Sequence, residues 1–99
     1  MKIAVTYADG QVFQHFGHTE ALKLYEIEDN RVVNSEIIST EGSGHAAIAD
    51  VLKNAGAQVL ICGGIGGCAV SALDNYGIEL YAGVQGSADE AVEVFLNGS

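Results

Sequence analysis

Three glycines, Gly56, Gly77 and Gly98, stand 21 residues apart (77 minus 56, and 98 minus 77), and each closes a segment whose apolar residues recur at helical spacing. Ile48, Val51, Leu52 and Ala55 precede the first, Ala69, Ala72, Leu73 and Tyr76 the second, and Ala88, Ala91, Val92 and Phe95 the third. Offsets of i, i+3, i+4 and i+7 put four side chains on one helical face. A glycine after such a run is a usual helix stop, because it enters the left-handed region without strain. Between the stops lie the short apolar runs Val59 to Cys62 and Ile78 to Ala82. The second half of the chain therefore reads helix, strand, helix, strand, helix, and Ser87 with Glu90 forms a capping-box sequence for the last helix. Two such units are too few for a solenoid and read instead as successive βα units of a parallel sheet.

The first half has a different rhythm. Lys2 to Tyr7 reads as a strand with Ile3, Val5 and Tyr7 on one face and Ala4 and Thr6 on the other. Residues 8–20, with Gly10, Gly17, two Phe and two His, read as a long loop, a length that is usually functional or disordered. Leu22 to Glu28 and Arg31 to Ile38 are β-rich runs joined by Asp29-Asn30, a pair suited to a tight hairpin, and a break follows at Ser39 to Gly44. Ninety-nine residues with 48% hydrophobic content supply one core, so residues 1–99 are expected to form a single domain. The expected fold is α/β, a three-layer α/β/α sandwich on a five-stranded mixed sheet whose second strand is antiparallel.

Charge narrows the partners. Four Lys and Arg against 13 Asp and Glu give a net charge of −9, which argues against nucleic acid and anionic membrane surfaces. Asn54 to Leu73 is uncharged over twenty residues, but its five glycines would each weaken a spanning helix by about 1 kcal/mol. Met1-Lys2 runs directly into Ile3-Ala4-Val5, so no leader and a cytoplasmic location are expected, where the two cysteines would remain thiols. The acids Glu26, Glu28, Asp29 and Glu36 gather at the hairpin and read as a solvated face. The first strand has no carboxylate for two-metal nuclease chemistry. No Ser, His and Asp arrangement stands out either, and no catalytic residue is assigned.

In an open sheet of this kind ligands gather beyond the carboxyl ends of the strands. Residues 8–20, 39–45, 63–68 and 83–87 should share that edge, and they hold nearly all the chemistry. The run Cys62-Gly63-Gly64-Ile65-Gly66-Gly67-Cys68 lacks the Lys of a triphosphate-binding loop and the acid of a dinucleotide fold. It reads either as a surface of backbone N–H groups for an anion or as tight strand-to-helix packing. Cys62 ends a buried strand and by default is a small core hydrophobe. Cys68 lies in the first turn of a helix, where the dipole favours thiolate. His15 and His18 flank Phe16-Gly17 and would by themselves be solvated. His45 starts a helix and should prefer the neutral imidazole, the metal-binding form.

Val12-Phe13-Gln14-His15-Phe16-Gly17-His18, followed by Leu24-Tyr25-Glu26-Ile27, resembles the signature loop and second strand of the dinitrogenase iron-molybdenum cofactor biosynthesis family. The likeness continues through His45, Gly64-Ile65-Gly66, Gly77-Ile78-Glu79 and Glu90-Ala91-Val92, covering almost the whole chain. The resemblance implies a ribonuclease-H-like fold with strand order 3-2-1-4-5 and without nuclease activity, which sets the His15 loop against residues 63–68. It also implies a non-enzymatic role: binding or carrying iron-molybdenum cofactor or another molybdenum or iron-sulfur cluster, as an accessory to cofactor biosynthesis or nitrogen fixation. Cofactor donor or acceptor proteins are the implied partners. His15, His18, His45, Cys68 and Cys62 are then the candidate metal ligands, and Gly17, Gly63, Gly64, Ile65, Gly66 and Gly67 the candidate cofactor-binding positions. The alternative is a nucleotide- or small-anion-binding enzyme or sensor domain that uses the glycine turn.

Overall fold

A computed structural model describes residues 1–40 and 45–98, without the side chains of residues 45–47 and 68. The elements are β1 (Lys2–Ala8), β2 (Gln11–Val12), β3 (Ala21–Glu28), β4 (Arg31–Ser39), α1 (His45–Ala55), β5 (Val59–Ile61), α2 (Gly67–Asn75), β6 (Glu79–Tyr81) and α3 (Ala88–Leu96), with a 3-10 turn over Phe16–His18. The expected break at Ser39 to Gly44 lies from residue 41 onward outside the described residues.

All six strands form one mixed sheet ordered β4-β3-β1-β5-β6, with β2 paired to β1. β1 pairs antiparallel with β2 and β3, and β3 with β4; β1 with β5 and β5 with β6 are parallel. Among the described residues the expected five strands become six, and the order as numbered changes with them. The difference is β2, whose two residues pair with Tyr7 and Ala8. Two residues are too few to display alternation, so the sequence offers no sign of this strand.

Helices cover both faces. On one, Ala4, Leu22, Leu24 and Leu60 meet Ile48 and Leu52 of α1 and Ala69 and Leu73 of α2. On the other, Ile3, Val5, Tyr25, Val59 and Ile61 meet Ala88, Val92 and Leu96 of α3. The alternation of Ile3 and Val5 against Ala4 thus feeds two cores, and each fully buried Leu contributes about 1.5–3 kcal/mol to holding the layers together. The stop glycines do what their spacing implies, with φ of +79° at Gly56, +72° at Gly77 and +81° at Gly98. Asp29 and Asn30 both take positive φ (52° and 65°), as a two-residue hairpin turn requires. Asn30 Nδ2 then donates to the Leu96 carbonyl at 2.8 Å, fastening the hairpin to the end of α3.

Tyr76 departs from its expected place on a buried stripe. It caps the end of α2 and is 38% exposed. Its hydroxyl donates to the Asp50 carboxylate, and the Lys53 ammonium sits 4.8 Å from its ring centroid. The ring therefore joins α2 to α1 at the surface.

Candidate functional site

The segment 8–20 is a built extension of the sheet rather than a free loop. Asp9 and Gly10 turn the chain with φ of 49° and 83°, and β2 returns alongside β1. Val12 N–H donates to the Gly86 carbonyl (2.8 Å), and Ala88 N–H donates to the Gly10 carbonyl (3.1 Å), so β2 is pinned to the start of α3. The fully buried Thr6 sends Oγ1 to the Phe13 carbonyl at 2.9 Å, and Gly63 N–H reaches the same oxygen at 3.3 Å. Gly64 N–H donates to the Gln14 carbonyl (2.7 Å), and Phe16 N–H donates back to the Gly64 carbonyl (3.0 Å). His15 and Gly64 consequently face each other as an isolated parallel bridge. Phe16, 1% exposed, anchors this segment in the core beneath.

Both described imidazoles, His15 and His18, are exposed above that anchor. Their ring centroids lie 6.5 Å apart, edge to face, and Phe13 abuts His15 at 6.1 Å. A single tetrahedral ion held by two imidazoles would draw the centroids to about 5 Å, given metal–nitrogen bonds of about 2 Å. The rings stand wider than that, a gap that rotation of the two exposed side chains can close. Among the described residues no three His, Cys, Asp or Glu groups converge on a metal position. His45 begins α1 and Cys68 is the second residue of α2; their side chains lie outside the described residues.

The glycine run divides in two. A Cβ on Gly63 would come within 2.6–2.7 Å of Gln14, and one on Gly64 within 2.9 Å of the Gln14 carbonyl. Those two glycines serve close chain packing. Gly66 and Gly67, like Gly17, have nothing within 4 Å of the point where a Cβ would stand and open onto free space. Gly66 is the N-cap of α2 and offers no side chain to its first-turn amides, which have no partner inside the helix. Ile65 packs half-buried against the core. Of the glycines in the looser dinucleotide pattern, Gly64 is covered by Gln14 and only Gly66 stays open.

Cys62 is fully buried in the core shared with α1 and α2, and burial pushes its thiol up to about 11. It behaves as a core hydrophobe, and ligation would require that core to open. Gln14 is the residue that sequence reasoning missed. Its Nε2 donates to the Val12 and Val84 carbonyls, both at 3.0 Å, so one amide holds β2 and the segment after β6 together. A single polar residue between Phe13 and His15 carries no signal of that duty.

Residues 1–98 match the dinitrogenase iron-molybdenum cofactor family. The chain belongs to that family. An uncharacterised protein of Methanocaldococcus jannaschii is 33% identical over 103 residues, covering 99% of this chain and 87% of that one. The crystal structure of PH0822 superposes with a TM-score of 0.94 at 26% identity, over 100% of this chain and 91% of the other. The apo form of the orange protein from Desulfovibrio gigas gives a TM-score of 0.84 at 30% identity, over 98% and 88%. Membership associates the chain with the handling of iron-molybdenum cofactor. Among the described residues no helix is long and apolar enough to cross a membrane.

Proposed function

We propose that this chain is a non-enzymatic carrier whose cargo is iron-molybdenum cofactor or a related molybdenum or iron-sulfur cluster. The observation that supports it best is the His15–Gly64 bridge, which sets an exposed imidazole pair beside the uncapped, open start of α2. His15 and His18 supply side-chain ligands, with His45 and Cys68 as further candidates at helix starts. Gly17, Gly66 and Gly67 leave room for a bulky anion, and the α2 amides and dipole favour its charge. The layered sheet is read as a ribonuclease-H-like fold turned to binding: β1 carries no carboxylate, and Glu26, Glu28, Asp29 and Glu36 are all exposed on the hairpin. Residues 62–73 and 80–88 carry no charge, so the glycine side of the berth is neutral, while Asp9 and Glu20 share a groove with His18 on the other side. Cofactor donor and acceptor proteins in the cytoplasm are the partners this role calls for.

The test is anaerobic titration of the protein with isolated iron-molybdenum cofactor, followed by visible absorption and by metal analysis after gel filtration. Stoichiometric retention of molybdenum and iron is the expected result. Passage of the cofactor through the column unretained would reject the proposal.

A further inference from the structure

At the opposite side of the sheet from β4, the edge strand β6 has no neighbour beyond β5 among the described residues. Glu79 N–H donates to the Gln58 carbonyl and the Tyr81 carbonyl accepts from Cys62 N–H, so both residues turn their backbone toward β5. The pleat then points the N–H and C=O of Leu80 outward, at the open edge. Grooves flank this edge on both faces. Toward α3 lies one of about 300 Å³, with Tyr81, Val84 and Val94 among its walls; toward α2 lies one of about 460 Å³, bounded by Val70 and Leu80. Val70, Tyr81 and Val94 are 39%, 41% and 51% exposed, an apolar trail on both sides of one strand.

The rim carries one sign of charge. Glu90 lines the α3-side groove, the Glu79 carboxylate on the same face accepts from the Tyr81 hydroxyl at 3.2 Å, and Asp74 lines the α2-side groove. Residues 54–99 contain five acids (Asp74, Glu79, Asp89, Glu90, Glu93) and no Lys or Arg. A second copy of this chain would bring the same acids against them.

We infer that the β6 edge is a docking site for an extended segment of a different protein, one in which two adjacent aliphatic residues are flanked by Lys or Arg. Such a segment adds a strand through the outward backbone of Leu80. Successive side chains enter opposite grooves, so each groove receives one aliphatic residue and one cation, the cations meeting Asp74 on one side and Glu79 and Glu90 on the other. This inference does not depend on the cargo proposed above.

The experiment uses the full chain, 15N-labelled, and a blocked synthetic peptide of about six residues, an ordinary strand length, with the core Lys-Val-Val-Lys. Controls replace both Lys by Glu, or both Val by Ser. The Lys/Val peptide is expected to shift the Leu80 amide, slow its hydrogen exchange and perturb Val70 and Val94, while both controls bind at least roughly tenfold more weakly. Val94→Ser and Val70→Ser, at exposed positions that leave the core intact, should each weaken the Lys/Val peptide by a similar factor. Equal binding of the Lys/Ser peptide, shifts centred on β4 instead of β6, or full affinity in both valine variants would each overturn the inference.

Discussion

Gln14 lies across Gly63 so closely that a Cβ there would stand 2.7 Å from the Gln14 Cα. Backbone, unlike the tip of a flexible side chain, cannot swing aside. Gly63→Ala should therefore destabilise the chain by about 1–3 kcal/mol, the range for overpacking. Gly67→Ala meets nothing within 4 Å and lies inside a helix, so it should hold stability or raise it by up to about 1 kcal/mol. Urea midpoints of the two variants measure the contrast. Equal midpoints would show that the close approach is not what the first of these glycines is for.

The ligand candidates should separate by burial. His15→Ala is expected to lose the most affinity for isolated iron-molybdenum cofactor, with Cys68→Ala next, because a helix-start thiolate is a natural metal ligand. Cys62→Ala should keep full binding while losing about 1 kcal/mol of stability, because its sulfur fills core. Anaerobic titrations of the three variants, paired with urea unfolding, test the ranking. Wild-type affinity in His15→Ala would sink it.

Asp89, Tyr25 and Lys23 form a clasp at the start of α3. Tyr25 Oη donates to Asp89 Oδ1 at 2.6 Å, and Lys23 Nζ lies 2.9 Å from the same oxygen. The Tyr25 hydrogen bond, and then that of Lys23, hold the Asp89 carboxyl below its ordinary range. A carboxyl with a lowered folded value stabilises above about pH 4 and loses that contribution as pH falls further. The Asp89 side chain is 69% exposed, so the share is under about 1 kcal/mol. Tyr25 has the opposite sign: burial first, then Asp89, raise its hydroxyl, so its contribution holds below about pH 10 and is lost above it. Cys62 adds to the alkaline loss, up to about 11. Asp89→Asn should flatten the acid limb of stability against pH, and Tyr25→Phe the alkaline limb. Urea midpoints across both ranges check each sign.

Cargo capture should quicken with salt. At −9 the chain repels an anionic cluster from afar, and screening over about 8–10 Å at moderate ionic strength weakens that repulsion more than it weakens direct ligation. Stopped-flow on-rates for iron-molybdenum cofactor at rising salt should climb, and rates that fall would point to a cationic berth the structure does not present.

Much of the fold could be read because its punctuation is local. Gly56, Gly77 and Gly98 mark helix ends through a conformation that each residue adopts on its own, and Asp29-Asn30 marks the hairpin in the same way. β2, the Gln14 amide contacts and the Tyr76–Asp50 bond all join residues distant in sequence or too few to show a period, and none leaves a trace in spacing. The candidate site is intermediate. Its histidines and glycines stand out as types, but which glycines pack and which remain open depends on where Gln14 lands.

The place of β1 between β3 and β5 sets a timetable for the emerging polypeptide. Its antiparallel side can zip with the hairpin as soon as residues 2–39 are available, through short connections. Its parallel side waits for β5, which follows only after α1, and then for β6. During synthesis the apolar face of a half-built sheet, with Ala4, Leu22 and Leu24 uncovered, stays wet until α1 and α2 arrive. Among the strands β6 is the most delayed, so the last strand pairing to become possible is the one at the outer margin of the sheet, before α3 covers the other face.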